Sequence, residues 1–410
     1  MSSLKKIERY QSYLYKSLNK SLLPSKGVGA LLFILNNFLA PILKKIFPRL
    51  SIKESPCTVL LVLPDDGKIA RFSPMVDFLN INGVSSKVHV KSRKEKFYKL
   101  IFFGMDNGIP FSLYLHSLYV NCLLVKYTPK IIMIVENAGV FPSVLRYFSN
   151  KKDVVVANIA HGVGCWGIAH SNSDVDYTLV FGQSTIDGLS ENKPRIGSTK
   201  AIIAGSPFIN PGVKEHFPRS LASRTGSILI AGQYSPSWDG ISLALERSIQ
   251  IISDFIVDHP ELEFVVRKHP LDRTNFWDSK EQELPNLVVS RCNSLFEDFV
   301  GKSLVLHMSS NVSIEAGLHG IPSIAVDPGG YSTHLHHDRF LKVAKTLEEL
   351  TIAFIEVFDF YGEYMNRALN HADYLLGVKS GFYFKVLAFA ISIIESKEED
   401  LECQIIEEKL

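Results

Sequence analysis

An α/β chain of two similar halves is what this sequence predicts, and three observations carry that expectation. Short apolar, β-branched runs recur between residues 58 and 326, many of them stopped by Gly, Pro, Asp or His. Stretches with helical spacing or helix-start residues separate many of them. The length, 410 residues, exceeds one ordinary domain and suits two.

In chain order, Thr58–Leu63 (TVLLVL) reads as a buried parallel strand ended by Pro64-Asp65-Asp66-Gly67. A helix follows over about 72–82, closed by Gly83, and then a strand at Ser86–Val90. Lys130–Val135, Asp153–Ile159, Asp176–Phe181 and Ala201–Ala204 are the next strands, with a helix near Pro142–Phe148. A linker rich in Pro, around 205–225, precedes the second half. There the strands are Ser227–Ala231, Glu263–Arg267, Leu287–Ser290, Ser303–His307 and Ile321–Val326. Helices are expected at Ile241–Asp258, Leu295–Val300 and Val312–Leu318, and over most of 347–395. Such alternation makes parallel sheets with helices on both faces, so the expectation is two Rossmann-like domains facing a cleft. The expected boundaries are a basic amphipathic helical segment at 1–54, a first domain at 55–215, a second at 216–396 and a fraying acidic tail at 397–410.

Hydrophobic residues make up 46% and charged residues 21%, enough for a sizeable core and too apolar for disorder. A net charge of +2 argues against a general nucleic-acid binder. The charge is unevenly spread, since residues 1–50 hold nine Lys or Arg against the single acid Glu8. Within them, 28–42 is strongly apolar but shorter than the ~20 residues a bilayer demands. The combination reads as an interfacial helix on an anionic membrane surface. The five cysteines are scattered without a CxxC pair, and the start lacks a signal-peptide pattern. A cytoplasmic location, peripheral on the inner membrane face, is therefore expected.

Ligands of open α/β sheets bind outside the carboxyl ends of the strands. Polar residues just after predicted strands are accordingly the candidates. Arg267-Lys268-His269-Pro270 follows one strand and offers two cations and an imidazole, a set suited to phosphate. Ser309-Ser310-Asn311 follows another and opens a helix, where backbone N–H groups and the dipole favour an anion. Glu315, a turn further on, could bind ribose hydroxyls. In the first half, His161-Gly162-Val163-Gly164 follows a strand, where glycines let the backbone approach a ligand. One of the carboxylates Asp65, Asp66 and Glu136, also after strands, is a candidate base; Asp66, Glu136 and His161 are the catalytic candidates. The run His334-Leu335-His336-His337-Asp338 lacks metal-ligand spacing and is expected to be a solvent-exposed loop, so no metal site is expected.

The second-half segments resemble bacterial GT-B glycosyltransferases of capsule and lipopolysaccharide synthesis, the sialyl-, polysialyl- and Kdo-transferases. Arg267-Lys268-His269-Pro270 matches their basic-x-His-Pro segment, and Ser309-Ser310 their serine-rich turn. Glu315-Ala316 with Gly320-Ile321-Pro322 is similar to the Glu-Ala…Gly-x-Pro region of many GT-B enzymes. His161-Gly162 with Asp176–Gly182 is similar to surface-polysaccharide enzymes and polyol-phosphate transferases. The resemblance implies a GT-B fold and a metal-independent glycosyltransferase without a cofactor. It also implies a CMP-activated acidic sugar held by the two second-half segments, and a glycan or lipid-linked acceptor. Two other activities fit the same outline, a CDP-polyol phosphotransferase and a UDP-GlcNAc 2-epimerase-like enzyme.

Overall fold

The computed structural model describes residues 4–9, 54–91, 109–135, 140–160, 162–163, 174–191, 196–207, 222–233, 239–378 and 381–408. Chain contacts divide into two compact units, Met1–Pro211 with Lys379–Leu410, and Gly212–Val378.

The first unit opens with β1 (Val59–Leu63), α1 (Ile69–Ile81) and β2 (Ser86–Val90). It continues through α2 (Phe111–Tyr127), β3 (Ile131–Ile134), α3 (Phe141–Ser149), β4 (Val155–Ile159), β5 (Tyr177–Val180), α4 (Gln183–Glu191) and β6 (Thr199–Ile203). These six strands are parallel and ordered β6-β5-β4-β3-β1-β2. Successive side chains alternate between two cores. Leu60, Val62, Ile132, Ile134 and Val156 pack on one face, and Val59, Leu61, Leu63, Ile131, Met133 and Ile159 on the other. A sheet covered on both faces demands unbroken apolar runs, which is what TVLLVL and KIIMIV supply.

α2 is absent from the sequence-based expectation. Its FSLYLHSLYVNCLLVKY is apolar on nearly every side and sinks Leu113, Tyr114, Leu118, Leu123 and Tyr127 into the core. A helix buried all round carries no 3.6-residue polar stripe to reveal it.

The second unit runs β7 (Ser227–Ala231), α5 (Asp239–Asp258), β8 (Phe264–Arg267), α6 (Phe276–Glu283), β9 (Leu287–Val289), α7 (Leu295–Phe299) and β10 (Lys302–His307). Then come α8 (Val312–Leu318), β11 (Ser323–Val326), α9 (His337–Phe340), β12 (Lys342–Ala344), α10 (Leu347–Asp359) and α11 (Tyr361–Leu376). All six strands are parallel, in the order β12-β11-β10-β7-β8-β9. β12, three residues long, was not foreseen.

The chain then returns to the first unit, which corrects two expectations. α12 (Phe382–Ile394) packs Phe382, Val386, Phe389 and Ala390 into the first unit's core, so the terminal helices do not all belong to the second domain. Residues 397–410 are not simply a frayed acidic tail. β13 (Gln404–Ile406) pairs antiparallel with β6, burying Ile406 and covering the sheet edge. An edge strand needs a partner, and three residues of backbone pairing outweigh the local acidity.

The opening of the basic segment is also part of this unit. Residues 4–9 are helical, Leu4 and Ile7 are buried in its core, Lys6 pairs with Glu408, and Ser112 donates to Glu8. The remaining residues of the 1–54 segment, the apolar 28–42 stretch included, lie outside the described residues, apart from Glu54. Among the described residues, no helix is long and apolar enough to cross a membrane.

Phe389 is fully buried and meets Tyr177 edge-on at 5.1 Å. Phe389→Ala should therefore lower first-unit stability by ~3–5 kcal/mol, the usual cost of deleting a core aromatic. Chemical denaturation reads this, and a loss below about 1 kcal/mol would detach α12 from that core.

Candidate functional site

The second sheet reverses its winding at β7. From that strand the chain moves out to β8 and β9, then returns to the other side with β10, β11 and β12. In α/β sheets a reversal of this kind marks the carboxyl edge at which ligands bind. Register places the residues. Ala231 lies opposite Arg267, Ile230 opposite Leu306, and His307 opposite Ala325. Counting on from these pairs, His269, Gln233, Ser309 and Asp327 form one row across that edge.

The row is stitched together between β7 and β10. Gln233 Nε2 donates to Ser309 Oγ at 2.7 Å, and Ser309 N–H donates to Gln233 Oε1 at 3.0 Å. Gly232 brings the β7 and β8 loops into contact. A Cβ there would lie 2.8 Å from the Arg267 carbonyl oxygen and 3.3 Å from the His269 nitrogen, so only glycine fits. Gln233 was missed in the sequence. Its signal was the same one that singled out the others, a polar residue directly after a strand.

The structure brings Arg267, Lys268, His269 and Pro270 to the edge, and it corrects the reading of the two cations. Arg267 pairs with Asp298, whose side chain is 1% exposed and also accepts from Ser290 Oγ. Lys268 Nζ lies 2.7 Å from Asp278 and donates to the Thr274 carbonyl at 2.9 Å. Both charges are neutralised inside their own unit, because a part-buried cation without a carboxylate would be costly. His269 differs. Its Nδ1 accepts the Leu271 N–H at 3.1 Å, so a neutral ring carries its proton on Nε2 and is a donor there. Pro270, exposed, follows it in the turn.

Ser309, Ser310 and Asn311 stand at the expected helix start, but their amides are largely committed. Ser310 N–H donates to His307 Nδ1, Val312 N–H to Ser310 Oγ, Ser313 N–H to the Ser310 carbonyl and Glu315 N–H to the Asn311 carbonyl. The free-amide anion cradle expected from sequence is thus replaced by a turn held by side chains, with the Ser309 hydroxyl at its crest. Glu315 sits close enough to Arg267 to feel its charge. Crowding by surrounding protein raises its pKa above the usual carboxylate value, and Arg267 offsets part of that.

The histidine run is not a solvent-exposed loop. His337 is buried, its Nε2 2.9 Å from Nε2 of the buried His307 and 3.2 Å from Ser323 Oγ. His371, also buried, donates from Nε2 to the Leu335 carbonyl at 2.5 Å, which holds the run against α11. Apolar Leu335 and the ring faces supply burial that histidine spelling alone does not disclose.

Of the first-unit candidates, Asp66 begins a 3-10 turn just after β1 and is exposed beside Asp65. Glu136 and His161 lie outside the described residues. Among the described residues, no group of three or more His, Cys, Asp or Glu is arranged to hold a metal ion. A cavity of about 580 Å³ lies at the amino ends of β4–β6, the opposite edge from where ligands bind. There Arg146 bridges Asp174 and Asp176, each at 3.0 Å, and Asp176 accepts the Val156 N–H at 2.8 Å. That network ties strand starts together and is a structural fastening.

No family model matches this sequence, and no curated protein matches it. Solved structures do match its fold. One is S. aureus MnaA solved with UDP, at 10% identity and a TM-score of 0.51, covering 84% of this chain and 99% of that one. Another is a UDP-N-acetylglucosamine 2-epimerase, at 11% and 0.50, covering 85% and 99%. A third is a glycosyltransferase from Rickettsia africae ESF-5, at 13% and 0.50, covering 83% and 99%. At such identities the likeness is one of fold. The chain is a mixed α/β protein of the GT-B type, with two units built on parallel sheets.

Burial holds His371 and His319 neutral, pushing each pKa from 6.5 down to about 4. Between those values the unfolded chain binds more protons than the folded one. Stability is therefore complete above 6.5 and falls as the pH drops toward 4. In the upper half of that window, the second unit's melting temperature should fall with acid in the wild type and fall less in His371→Gln. That variant keeps a donor for the Leu335 carbonyl but cannot titrate. Parallel slopes for the two proteins would contradict the assignment.

Proposed function

We propose that this chain is a glycosyltransferase that binds a nucleotide-activated sugar at the carboxyl edge of its second sheet. The observation that carries the reading is the row His269–Gln233–Ser309–Asp327 across the point where the sheet's winding reverses. The His269 ring, the Gln233 amide and the Ser309 hydroxyl stand in that row as groups able to hydrogen-bond phosphate oxygens. Glu315 is the candidate for the ribose hydroxyls. Arg267 and Lys268, paired as they are, shape the turn and add to the local potential more than they grip the ligand. The base that takes the acceptor's proton stays with the carboxylate candidates Asp66 and Glu136, and His161 remains the third catalytic candidate. No metal or cofactor enters this reading.

The motif resemblance favours a CMP-linked acidic sugar and a bacterial surface polysaccharide as the product. The fold neighbours favour uridine nucleotides, since one of them was solved with UDP. They also keep a second reading in play, a UDP-GlcNAc 2-epimerase-like activity, because such proteins match over nearly their whole length. The two activities separate cleanly. A transferase needs an acceptor, and an epimerase turns over the sugar nucleotide alone.

Binding of CMP, CDP, UDP, GDP and ADP, followed by calorimetry or thermal shift, tests the nucleotide site. A pyrimidine nucleotide is expected to stabilise the protein, with CMP pointing to the acidic-sugar donor and UDP to the uridine class. His269→Ala should then reduce turnover by ~2–4 kcal/mol of transition-state stabilisation with the fold intact. Wild-type turnover in that variant would remove the row from the active site.

The acceptor in this reading is a glycan or a growing lipid-linked chain, so a peripheral position on the inner membrane face is part of the proposal. Lys6 is paired within the first unit. The other basic residues of 1–50 and the apolar 28–42 stretch provide the attraction, at ~1 kcal/mol for each cation near an anionic surface. Truncating the segment would also remove Leu4 and Ile7 from the core, so point changes are the cleaner test. The full chain should co-sediment with anionic vesicles and not with neutral ones. Salt and Leu35→Asp should each weaken that binding. Equal partition of wild type and Leu35→Asp at low salt would reject the apolar anchor.

A further inference from the structure

We propose that His307 is a positioning residue for the Ser309–Ser310 turn, fixed as its neutral Nε2–H tautomer by the neighbours on its two ring nitrogens. The proposal rests on the nucleotide reading above and adds the device that shapes that site from below.

His307 is the last residue of β10 and is fully buried. Its Nδ1 lies 3.1 Å from the Ser310 amide nitrogen. A backbone N–H can only donate, so Nδ1 must present a lone pair. The neutral ring then carries its proton on Nε2. That nitrogen lies 2.9 Å from Nε2 of His337, so His307 donates and His337 accepts. The Ser323 hydroxyl lies 3.2 Å from the same His337 nitrogen and can only share that lone pair with His307. His371 stands edge-on to His337, with ring centroids 4.7 Å apart, and closes the stack from α11. Ser323 of β11 and His371 of α11 thus hold His337 of α9, and His337 with the Ser310 amide holds the His307 ring in one orientation and one tautomer.

The consequence falls on the turn after β10. The turn is pinned twice, Ser309 by Gln233 from the β7 side and Ser310 by His307 from beneath. If the His307 acceptor is lost, the Ser310 amide must find another partner in a half-buried turn, and the Ser309 hydroxyl moves with it. His307 itself touches no ligand in this scheme and acts through Ser310.

The test compares wild type, His307→Asn and His307→Leu for affinity toward UDP and CMP, with melting temperature measured alongside. The asparagine oxygen can take the place of Nδ1 and accept from Ser310, while leucine fills similar space with no acceptor. Both variants lose the donor to His337 and should lose similar melting temperature. Affinity should part them. His307→Leu should weaken nucleotide binding about tenfold or more, and His307→Asn should recover most of it. Equal affinities in the two variants would reduce His307 to packing and overturn the proposal. Should His307→Leu fail to fold, imidazole ¹⁵N spectra of the wild type decide. A protonated Nε2 and bare Nδ1 at His307 support the proposal, and the opposite tautomer overturns it. A wild type that binds none of the nucleotides would overturn the functional reading instead, while the spectra still judge the tautomer.

Discussion

A parallel sheet covered on both faces has almost nowhere to put a polar side chain, and this constraint shapes the whole protein. In β1 and β3 each side chain enters one of two cores, and in the second unit β7, β8, β10 and β11 do much the same. Chemistry is thereby pushed off the strands and onto their carboxyl ends. The row His269–Gln233–Ser309–Asp327 is what lies one or two residues past the ends of four adjacent strands. Its members are far apart in the chain and side by side because strand pairing sets them so.

The same constraint explains why charge is handled so carefully at that edge. Arg267 and Lys268 leave a buried strand and cannot both remain unpaired beside a low-dielectric core, so Asp298 and Asp278 meet them. In the proposed reading a ligand meets hydrogen-bonding groups of fixed direction, the Gln233 amide and the Ser309 hydroxyl among them. Neutral donors give orientation at less desolvation cost than free cations, which suits a site whose occupant brings its own negative charge. The buried histidines beneath the serine turn extend this logic inward. They supply directional hydrogen bonds without carrying charge into the core.

Much of the architecture was legible in the chain because its signals are local. TVLLVL, KIIMIV, SILIA and SLVLH announce buried strands by composition, and the residues after them announce the edge that carries chemistry. Elements went unseen where local pattern fails. α2 is apolar on nearly every side, so it has no stripe. β12 and β13 are three residues each and exist through their partners β11 and β6. Gln233 was overlooked because a single amide after a strand says little until Ser309 stands 2.7 Å away.

By itself the sequence determined the α/β class, most of the succession of strands and helices, and most of the strand ends that carry polar residues. All three follow from side-chain type at short range. Tertiary structure alone decided that residues 379–410 return to the first unit, that Arg267 and Lys268 are already paired, and that His337 is core. Each of those depends on contacts between residues distant in the chain, such as Asp298 with Arg267 or His307 with His337. Composition and spacing cannot encode a partner's position, and strand pairing can.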